Sequence, residues 1–312
     1  MSVDISAASD QLAVLTTGPP PGLPKDDVLD SRHLETGRYG NLLAALAQLA
    51  RKPFFVIAFL YVAFVIVSAI VPGWFSSGQP YATHPADAMR SPSLHHLFGT
   101  DNLGRDLWTR VLYGSSLTIE ATITAIAIGL VAGLTLGVVS GFFGRWVDAI
   151  IMRIVDVLLA IPSLLFALTI VTAVGYGTMP VALAIGLGVI PGFARTTRAE
   201  VLRVKTLPYV EAARASGASW LRVLVRHILP NSWGPVAVLA VLDAGVAIIA
   251  IASLSFLGFG APPPSSEWGT LISNGRDFLV TSWWLSLMPG IFVTLVVLSL
   301  NHISKTLQEL ER

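Results

Sequence analysis

Long apolar stretches alternate along the chain with short polar segments. A helix that crosses a hydrocarbon core about 30 Å thick needs about 20 apolar residues. The charge-free run from Val157 to Ala194 is 38 residues long, and as one helix at about 1.5 Å per residue it would reach nearly twice that thickness. It therefore predicts two helices that turn at Gly175–Thr178. The six predicted spanning helices are Pro53–Val71, Leu117–Phe143, about 153–174, about 179–194, Val236–Phe259 and Leu285–Ser304.

Composition agrees with this pattern. Hydrophobic residues fill 54% of the 312 positions, charged residues fill 12%, and the mean hydropathy is +0.70. Soluble domains are roughly 45–50% apolar, so the chain is predicted to be an all-α polytopic membrane protein surrounded by the lipid bilayer. The absence of cysteine excludes disulfides, a lipid-anchored cysteine, thiolate metal sites and cysteine nucleophiles.

The distribution of charge predicts the orientation. Cytosolic loops carry an excess of Lys and Arg, and the segment between the fourth and fifth predicted helices carries only two acids, Glu200 and Glu211, against seven basic residues: Arg195, Arg198, Arg203, Lys205, Arg214, Arg222 and Arg226. That segment is therefore predicted to be cytosolic. An even number of crossings places both ends of the chain on the same, cytosolic side.

The residues before the first predicted span differ in kind. Residues 1–40 contain the proline-rich segment Thr17–Pro24 and mixed charges, which predict a disordered cytosolic tail. No basic region followed by a short apolar core is found, so no cleaved secretory signal is expected. The segment Asn41–Ala50 predicts an amphipathic helix on the membrane face, because one side carries Leu42, Leu43, Leu46 and Leu49.

A polar hairpin, Tyr209–Asn231, stands out among the apolar segments. Pro208 suits a first helical position, and Glu211 lies in the first turn, where the helix dipole favours a carboxylate. Gly217 can end this helix in the left-handed conformation, Ser219 can cap the next one, and Pro230 is expected to stop it. The hairpin is thus predicted to form two short helices around a tight turn.

The second hairpin helix is predicted to be amphipathic. Arg222 and Arg226 share one face and are expected to stay solvated. Another face is expected to pack, because apolar residues recur there at spacings of three to four: Leu221, Leu224, Val225 and Ile228.

The hairpin resembles the EAA loop of ABC importer permeases, in which Glu-Ala-Ala is followed by a Gly and then by a Leu-Pro pair. The resemblance implies a coupling helix that lies in a groove of a cytosolic ATPase. A surface hairpin without a partner is one alternative; a DNA-binding helix-turn-helix is disfavoured because membrane lies close on both sides, and no nucleic-acid partner is expected. The residues assigned to ATPase coupling are Tyr209, Glu211, Ala212, Ala213, Arg214, Gly217, Ala218, Leu229 and Pro230.

The first external loop carries a second resemblance, over His96–Leu117, to the permeases of peptide and nickel importers and particularly to their C-type subunit. Asp106 is expected to cap a helix whose Leu107, Val111 and Leu112 lie along the membrane surface. No metal site is expected here, because a calcium loop would need oxygen ligands where Leu103 stands and adjacent histidines rarely share one ion. The residues assigned to this external motif are Gly99, Asp101, Gly104, Arg105 and Asp106.

Two further stretches, 144–162 and 252–279, extend the resemblance to roughly residues 41–300. It implies a type I ABC importer permease fold with six transmembrane helices and both ends in the cytosol. The expected divisions are the tail 1–40, a segment 41–116 with interfacial helix, first span and external loop, and the transmembrane domain 117–312 with its coupling loop at about 195–235. Two departures are Ile251, where the family usually has Glu, and the absence of the usual Gly-Asp pair in 301–312.

Asp243 is the only carboxylate within the fifth predicted span. A charge near the bilayer centre costs about 2.5–3.5 kcal/mol on insertion scales, so it should face protein or water. One hypothesis is that Asp243 lines the translocation path with Ser253 and Ser255 and contacts a substrate amine; the alternative is a hydrogen bond to a neighbouring helix. At the start of the third span, Arg153 and Asp156 are expected to form an ion pair.

Three prolines are expected to interrupt the predicted helices and permit kinks. They are Pro162, Pro191 and Pro289.

No phosphate-binding loop is present, since none of the four lysines follows a glycine as GxxxxGK requires. The resemblance implies two ATP-binding subunits, a B-type permease subunit and an external substrate-binding protein. This chain is then not an enzyme and binds no cofactor; ATP and Mg²⁺ belong to the partner subunits. The predicted function is import of di- or oligopeptides, with a nickel importer permease or an ion-driven secondary transporter as alternatives.

Overall fold

The computed structural model describes residue 49 and residues 52–310. The predicted tail lies outside the described residues, as does all but one residue of the predicted interfacial helix. The described body is helical, and its only β pairing is an isolated bridge between Thr100 and Asp106. In chain order its α-helices are α1 (Pro53–Ile70), α2 (Leu107–Phe143), α3 (Arg145–Leu159), α4 (Ser163–Val174), α5 (Thr178–Lys205), α6 (Pro208–Ala215), α7 (Trp220–Val223), α8 (Leu229–Phe256), α9 (Trp268–Gly275) and α10 (Trp284–Leu310).

Five apolar helices within the described residues are long enough to cross a membrane. They are α1, α2, α5, α10 and the continuous run Trp220–Phe256, and the pair α3–α4 makes a sixth span if it is counted as one. The predicted third helix over 153–174 is interrupted at Pro162, as the sequence predicted, but the interruption is a bend of 91° between α3 and α4 rather than a kink within one helix. Pro162 stands at this elbow as the residue before α4, and its missing N–H and its ring do not let α3 continue.

The two ends of the body lie side by side. Lys52 Nζ is 2.7 Å from Glu309 Oε2, although the two residues are 257 positions apart. This contact agrees with an even number of crossings. The end of the helix bundle that carries the polar hairpin, predicted to be cytosolic, is called the inner end below.

Helices α2 and α5 pack at unusually short range. Four glycines spaced four residues apart line the contact face of α2: Gly129, Gly133, Gly137 and Gly141. A Cβ atom added at Gly133 would lie only 2.4 Å from Cβ of Phe193. Small residues at this spacing let two membrane helices approach until their backbones nearly touch, so α2 and α5 form the rigid centre of the bundle.

The outer end of the bundle is a buried aromatic cluster. Leu107, Val111 and Leu112 are no more than 2% exposed, so the prediction that they lie along the membrane surface is wrong. They belong to one 37-residue helix, α2, and residues of the outer loops fold over them. Trp268 Nε1, for example, donates a hydrogen bond of 3.0 Å to the carbonyl of Val111. The predicted cap is confirmed, because the Asp106 carboxylate accepts from the N–H of Thr109.

Candidate coupling hairpin, external platform and translocation path

The hairpin begins as its sequence predicts. Pro208 is the first residue of α6, and Glu211 lies in its first turn. Gly217 has φ +79° and reverses the chain, and the Ser219 hydroxyl accepts a hydrogen bond from the N–H of Arg222 at 3.4 Å. These local predictions are confirmed.

The second arm of the hairpin differs from the prediction that Pro230 ends it. A π-helical turn, Leu224–Ile228, joins α7 to α8, and the run continues without a break to Phe256. Pro230 lies in the first turn of α8, where a missing N–H costs least, and the wider turn before it replaces the stop. The hairpin is therefore continuous with a membrane span.

The predicted packing face of this arm is also wrong in part. Leu221 and Val225 are 53% and 54% exposed, whereas Val223 and Ile228 are 1% and 0% exposed. A spacing of five between buried residues fits the i to i+5 repeat of a π turn, which the spacing of three to four could not foresee. The buried pair joins a cluster at the inner ends of α2 and α5: Val138, Val201, Val204, Val210, Val223 and Ile228.

Burying that face leaves a mixed basic and apolar surface on the outside of the hairpin. We call it the coupling surface, defined by the exposed residues Tyr209, Glu211, Trp220, Leu221, Arg222, Val225 and Arg226. Of the remaining residues that the sequence assigns to coupling, Ala212, Arg214, Gly217 and Pro230 are exposed. Ala213, Ala218 and Leu229 are half-buried, and the last two pack against the valine-rich cluster.

The base of the hairpin is fixed to the end of α2. Lys205 Nζ donates to the carbonyl of Phe142 at 2.6 Å, a favourable place for a cation because the carbonyl end of a helix is negative. The ring of Trp220 lies 6.1 Å from the ring of Phe142 and 5.9 Å from that of Phe143. The hairpin and the inner ends of α2 and α5 thus form one packed unit.

Helix α3 is tied to α5 by ion pairs that the sequence did not predict. Asp156 pairs with Arg195 at 2.6 Å, so the expected pair with Arg153 is wrong. Asp148 pairs with Arg198. The sequence did not predict these pairs because their partners are about forty to fifty residues apart and meet only when α5 packs beside α3.

At the outer end, Asp101 organises the external motif. Its carboxylate accepts hydrogen bonds from the N–H groups of Leu103 and Arg105, and from Nε of Arg105 at 2.7 Å. Burial opposes ionisation, but these hydrogen bonds and the Arg105 charge outweigh it and hold the pKa of Asp101 below its ordinary value. Gly104 has φ +73° and no room for a Cβ, which would meet the carbonyl oxygen of His84. Gly99 likewise has φ +77° and no room for a Cβ beside the carbonyl oxygen of Arg90, so both glycines of the motif are needed for the folding of this loop.

Two charged residues that the sequence did not single out hold the external loops together. Arg110 is 2% exposed; its Nη1 lies 2.6 Å from Asp101 Oδ2, and its Nη2 donates to the carbonyls of Pro264 and Ser265. Glu267 is fully buried and caps α9 through the N–H groups of Gly269 and Thr270. We call this arrangement the external platform, defined by Asp101, Arg105, Arg110 and Glu267.

The family of the chain follows from the C-terminal part of its sequence. The family model described as "Binding-protein-dependent transport system inner membrane component" matches residues 133–310, which include the hairpin and the spans around it. The chain belongs to this family. It is thus a multi-pass membrane permease subunit.

Proteins similar in sequence to this permease are also named as transport permeases. A protein of Brucella suis biovar 1 named as a peptide transport system permease protein is 40% identical over 262 residues, which are 84% of this chain and 88% of that protein. The dipeptide transport system permease protein of Alkalihalophilus pseudofirmus is 37% identical over 265 residues, 85% of this chain and 87% of that protein.

A solved structure of the MetNI methionine ABC transporter, in an inward-facing form, resembles the permease with a TM-score of 0.53 at 17% identity. The match covers 65% of this chain and 97% of that one. At this identity the likeness concerns the fold alone. It confirms the predicted type I importer permease fold.

The predicted path residues of the permease occupy different environments. Asp243 lies midway along α8 and is half-buried, and no hydrogen bond or ion pair joins it to another of the residues described. Ser253 lines an open groove of about 570 Å³ between α8 and α10. Ser255 is 4% exposed and packs against Gly260 and Gly269, so the structure separates it from that groove.

Ile251, the departure from the family pattern, is fully buried in the cluster that joins α8 to α2 and α5. It contributes to the core of this permease, so its face of α8 differs from the half-exposed face of Asp243.

Proposed function

We propose that this permease imports peptides and forms half of a translocation pore that is driven by ATP hydrolysis in two partner subunits. The coupling surface carries the proposal: an exposed hairpin, anchored on the inner ends of α2 and α5, in a family of binding-protein-dependent transport components. The names of the relatives supply the cargo, because they refer to peptides and dipeptides. Neither of these names supports nickel, the alternative that the sequence left open.

The remaining partners follow from the same family. A second, B-type permease subunit completes the pore, and an external binding protein delivers the peptide to the outer end. ATP and Mg²⁺ bind to the ATPase subunits, and this chain contributes no catalytic group.

The coupling surface suits a groove on a partner. Trp220 is 58% exposed and Leu221 53% exposed, and aromatic and apolar anchors of this kind supply most of the energy when a short helix enters a groove. Gly217 is exposed at the turn beside them, and because it has no side chain the turn can approach a partner closely. The buried valines beneath make the hairpin follow any displacement of the partner.

Copurification tests the hypothesis that ATPase subunits bind the coupling surface. We expect Glu211→Lys combined with Leu221→Asp to detach the ATPase subunits or abolish their stimulated ATP hydrolysis, since both side chains are exposed on the coupling surface. Asp277→Lys combined with Val280→Asp is the matched control, with the same charge changes on exposed residues of the outer loop. ATPases that stay attached and fully active on the hairpin variant would overturn the proposal.

Asp243 is the proposed contact for the amino group of the peptide. A half-buried carboxylate in a spanning helix must face protein or water, and none of the described residues pairs with it. We expect Asp243→Asn to slow import of peptides with a free amino terminus but not of the same peptides after acetylation, while Asp243→Glu retains the preference. Equal import of both peptides by wild type and Asp243→Asn, in complexes of normal composition, would refute this role.

A further inference from the structure

Helix α3 is held against α5 by a pair of ionic contacts. Asp148 receives Arg198 in bidentate fashion, with Nε to Oδ1 at 2.5 Å and Nη2 to Oδ2 at 2.7 Å. Ser140 of α2 adds a hydrogen bond of 2.5 Å to the same carboxylate. Two turns further along α3, Asp156 meets Nη2 of Arg195 at 2.6 Å. Bidentate arginine–carboxylate pairs fix geometry as well as charge, so the Asp148–Arg198 pair sets the position of α3 relative to α5, and the single, exposed Asp156–Arg195 contact adds to it.

The α5 side of these contacts is rigidly joined to the hairpin. Arg198 lies in the last two turns of α5, which ends at Lys205 and leads after two residues into α6. Val201 and Val204 of α5 pack with Val210 of α6 in the buried inner-end cluster. A displacement of the hairpin therefore carries the two arginines with it.

Elsewhere α3 has few attachments to the body. Val155 is its only buried residue, and Ala167 and Val171 are the only buried residues of α4. Its first end follows Gly144, which has φ +64°, and its last end is the 91° elbow at Pro162. Both ends are thus sharp turns, and the ion pairs lie between them.

The elbow also has space beside it. A cavity of about 270 Å³ lies between the elbow and α5, lined by Leu159, Pro162, Phe166, Gly188 and Pro191. Pro191 stands inside α5 and removes a backbone hydrogen bond from that helix. Movement of the elbow toward α5 therefore meets an open volume and a locally weakened helix.

We propose that the Asp148–Arg198 and Asp156–Arg195 pairs form a strut that transmits hairpin displacement to the α3–α4 elbow, and so couples ATP hydrolysis to opening of the path. The proposal rests on the proposed function, since it needs ATPases on the coupling surface. The four residues are positioning residues: they contact neither the peptide nor ATP. In this proposal the ATPases displace the coupling surface, and the strut transmits that displacement to α3 and α4.

Charge reversal in the assembled complex tests the strut. The complex of this permease with its partner permease and ATPases is reconstituted in vesicles, and peptide import and ATP hydrolysis are measured together. Coupling energies between sites correspond to roughly 5–150-fold effects, so we expect Asp148→Arg or Arg198→Asp to lower import per ATP hydrolysed by about tenfold. The double exchange of the two residues should restore most of it, because it rebuilds the pair. Glu309→Arg, which breaks the exposed Lys52–Glu309 pair at 2.7 Å, is the matched control and should import as wild type does.

The outcomes separate this proposal from the proposed function. A wild-type chain that copurifies without ATPases would refute the proposed function itself. Single variants that lose their ATPases would show that the pairs only hold the hairpin fold, and would overturn the strut alone. Unchanged import per ATP in the single variants, or no recovery in the double exchange, would overturn it as well. Asp156→Asn and Arg195→Gln, at exposed positions, repeat the measurement should the Asp148 variants fail to fold.

Distances between labels give an independent readout. The chain has no native cysteine, so Ile150→Cys on α3 and Ser216→Cys on the hairpin, both exposed, can carry spin labels. We expect the distance between them to stay constant between the ATP-free and ATP-bound complexes. In the Arg198→Asp variant, the distribution of this distance should broaden or shift on ATP binding. A wild-type distance that changes with ATP would show that α3 does not follow the hairpin.

Discussion

Individual buried charges, rather than the glycines of the external motif alone, determine the outer end of this permease. Arg110 joins Asp101 to two carbonyls of a loop more than 150 residues away. Removing Arg110 leaves the two loop carbonyls without their buried donor, at a cost of about 1–3 kcal/mol, while Arg105 still pairs with Asp101. We expect Arg110→Met to lower the free energy of unfolding by that order, measured by thermal unfolding in detergent. Arg90→Met removes an exposed arginine of the same loop region and should change little; equal effects would contradict the assignment.

Glu267 predicts a dependence of stability on pH. Burial raises its pKa above the ordinary 4.5, although hydrogen bonds from Gly269 and Thr270 oppose the shift. A carboxyl whose pKa is raised by folding contributes stability that is fully present below 4.5 and is lost as the pH rises through the folded-state pKa. We expect Glu267→Gln to remove this dependence while keeping an acceptor for the cap, as followed by unfolding temperature across a pH series.

Glu267→Ala is the contrasting variant. It removes the cap and leaves buried N–H groups without a partner, which costs about 1–3 kcal/mol at every pH. A Glu267→Gln protein with the same pH profile as wild type would show that the carboxyl is not the titrating group.

At the scale of elements, the close α2–α5 contact gives the sharpest expectation. Alanine at Gly133 would place a Cβ 2.4 Å from Phe193, whereas Gly192 of α5 has no atom within 4 Å of the added Cβ. We expect Gly133→Ala to destabilise the permease by about 1–3 kcal/mol through overpacking. Gly192→Ala should stabilise it by up to about 1 kcal/mol, because alanine favours the helix. Unfolding temperatures of the two variants in the same detergent check this, and a shift of the same sign in both would contradict the packing.

Some of these elements could be predicted from the sequence and others could not. Apolar length located the spans, and Pro208, Gly217 and Ser219 located the start and turn of the hairpin, because these signals are local. An interruption at Pro162 was expected, but its 91° bend and the π turn before Pro230 were not. A proline indicates that a helix is disturbed, but not whether the helix bends sharply or continues. The burial of Val111 was missed because the residues that cover it, such as Trp268, lie far away in the chain.

At the scale of the whole molecule, family membership and fold agree with the resemblance drawn from the hairpin and the external loop. Asp243 and the hairpin stand out in the sequence because a charge inside an apolar run and a basic segment between apolar runs are visible without a structure. Of the coupling surface, the sequence assigned only Tyr209 and Glu211 to coupling, and it predicted Leu221 and Val225 to pack instead. The partners of Asp148 and Asp156 could not be chosen in this way. Each partner depends on which helices become neighbours in the fold, and no local sequence pattern shows which helices will be neighbours.

The contact between Lys52 and Glu309 has a further consequence for how this chain can be cut and rejoined. Because these residues touch, a short linker could connect the first spanning helix to the last once residues 1–51 are removed. New ends could be opened in the exposed outer segment around Leu94, which is 97% exposed. Closely placed ends are the condition under which circular permutation is tolerated. Such a rearranged chain would begin and finish on the opposite side of the membrane while keeping every helix in place, and reporters fused to its ends would read out the orientation directly.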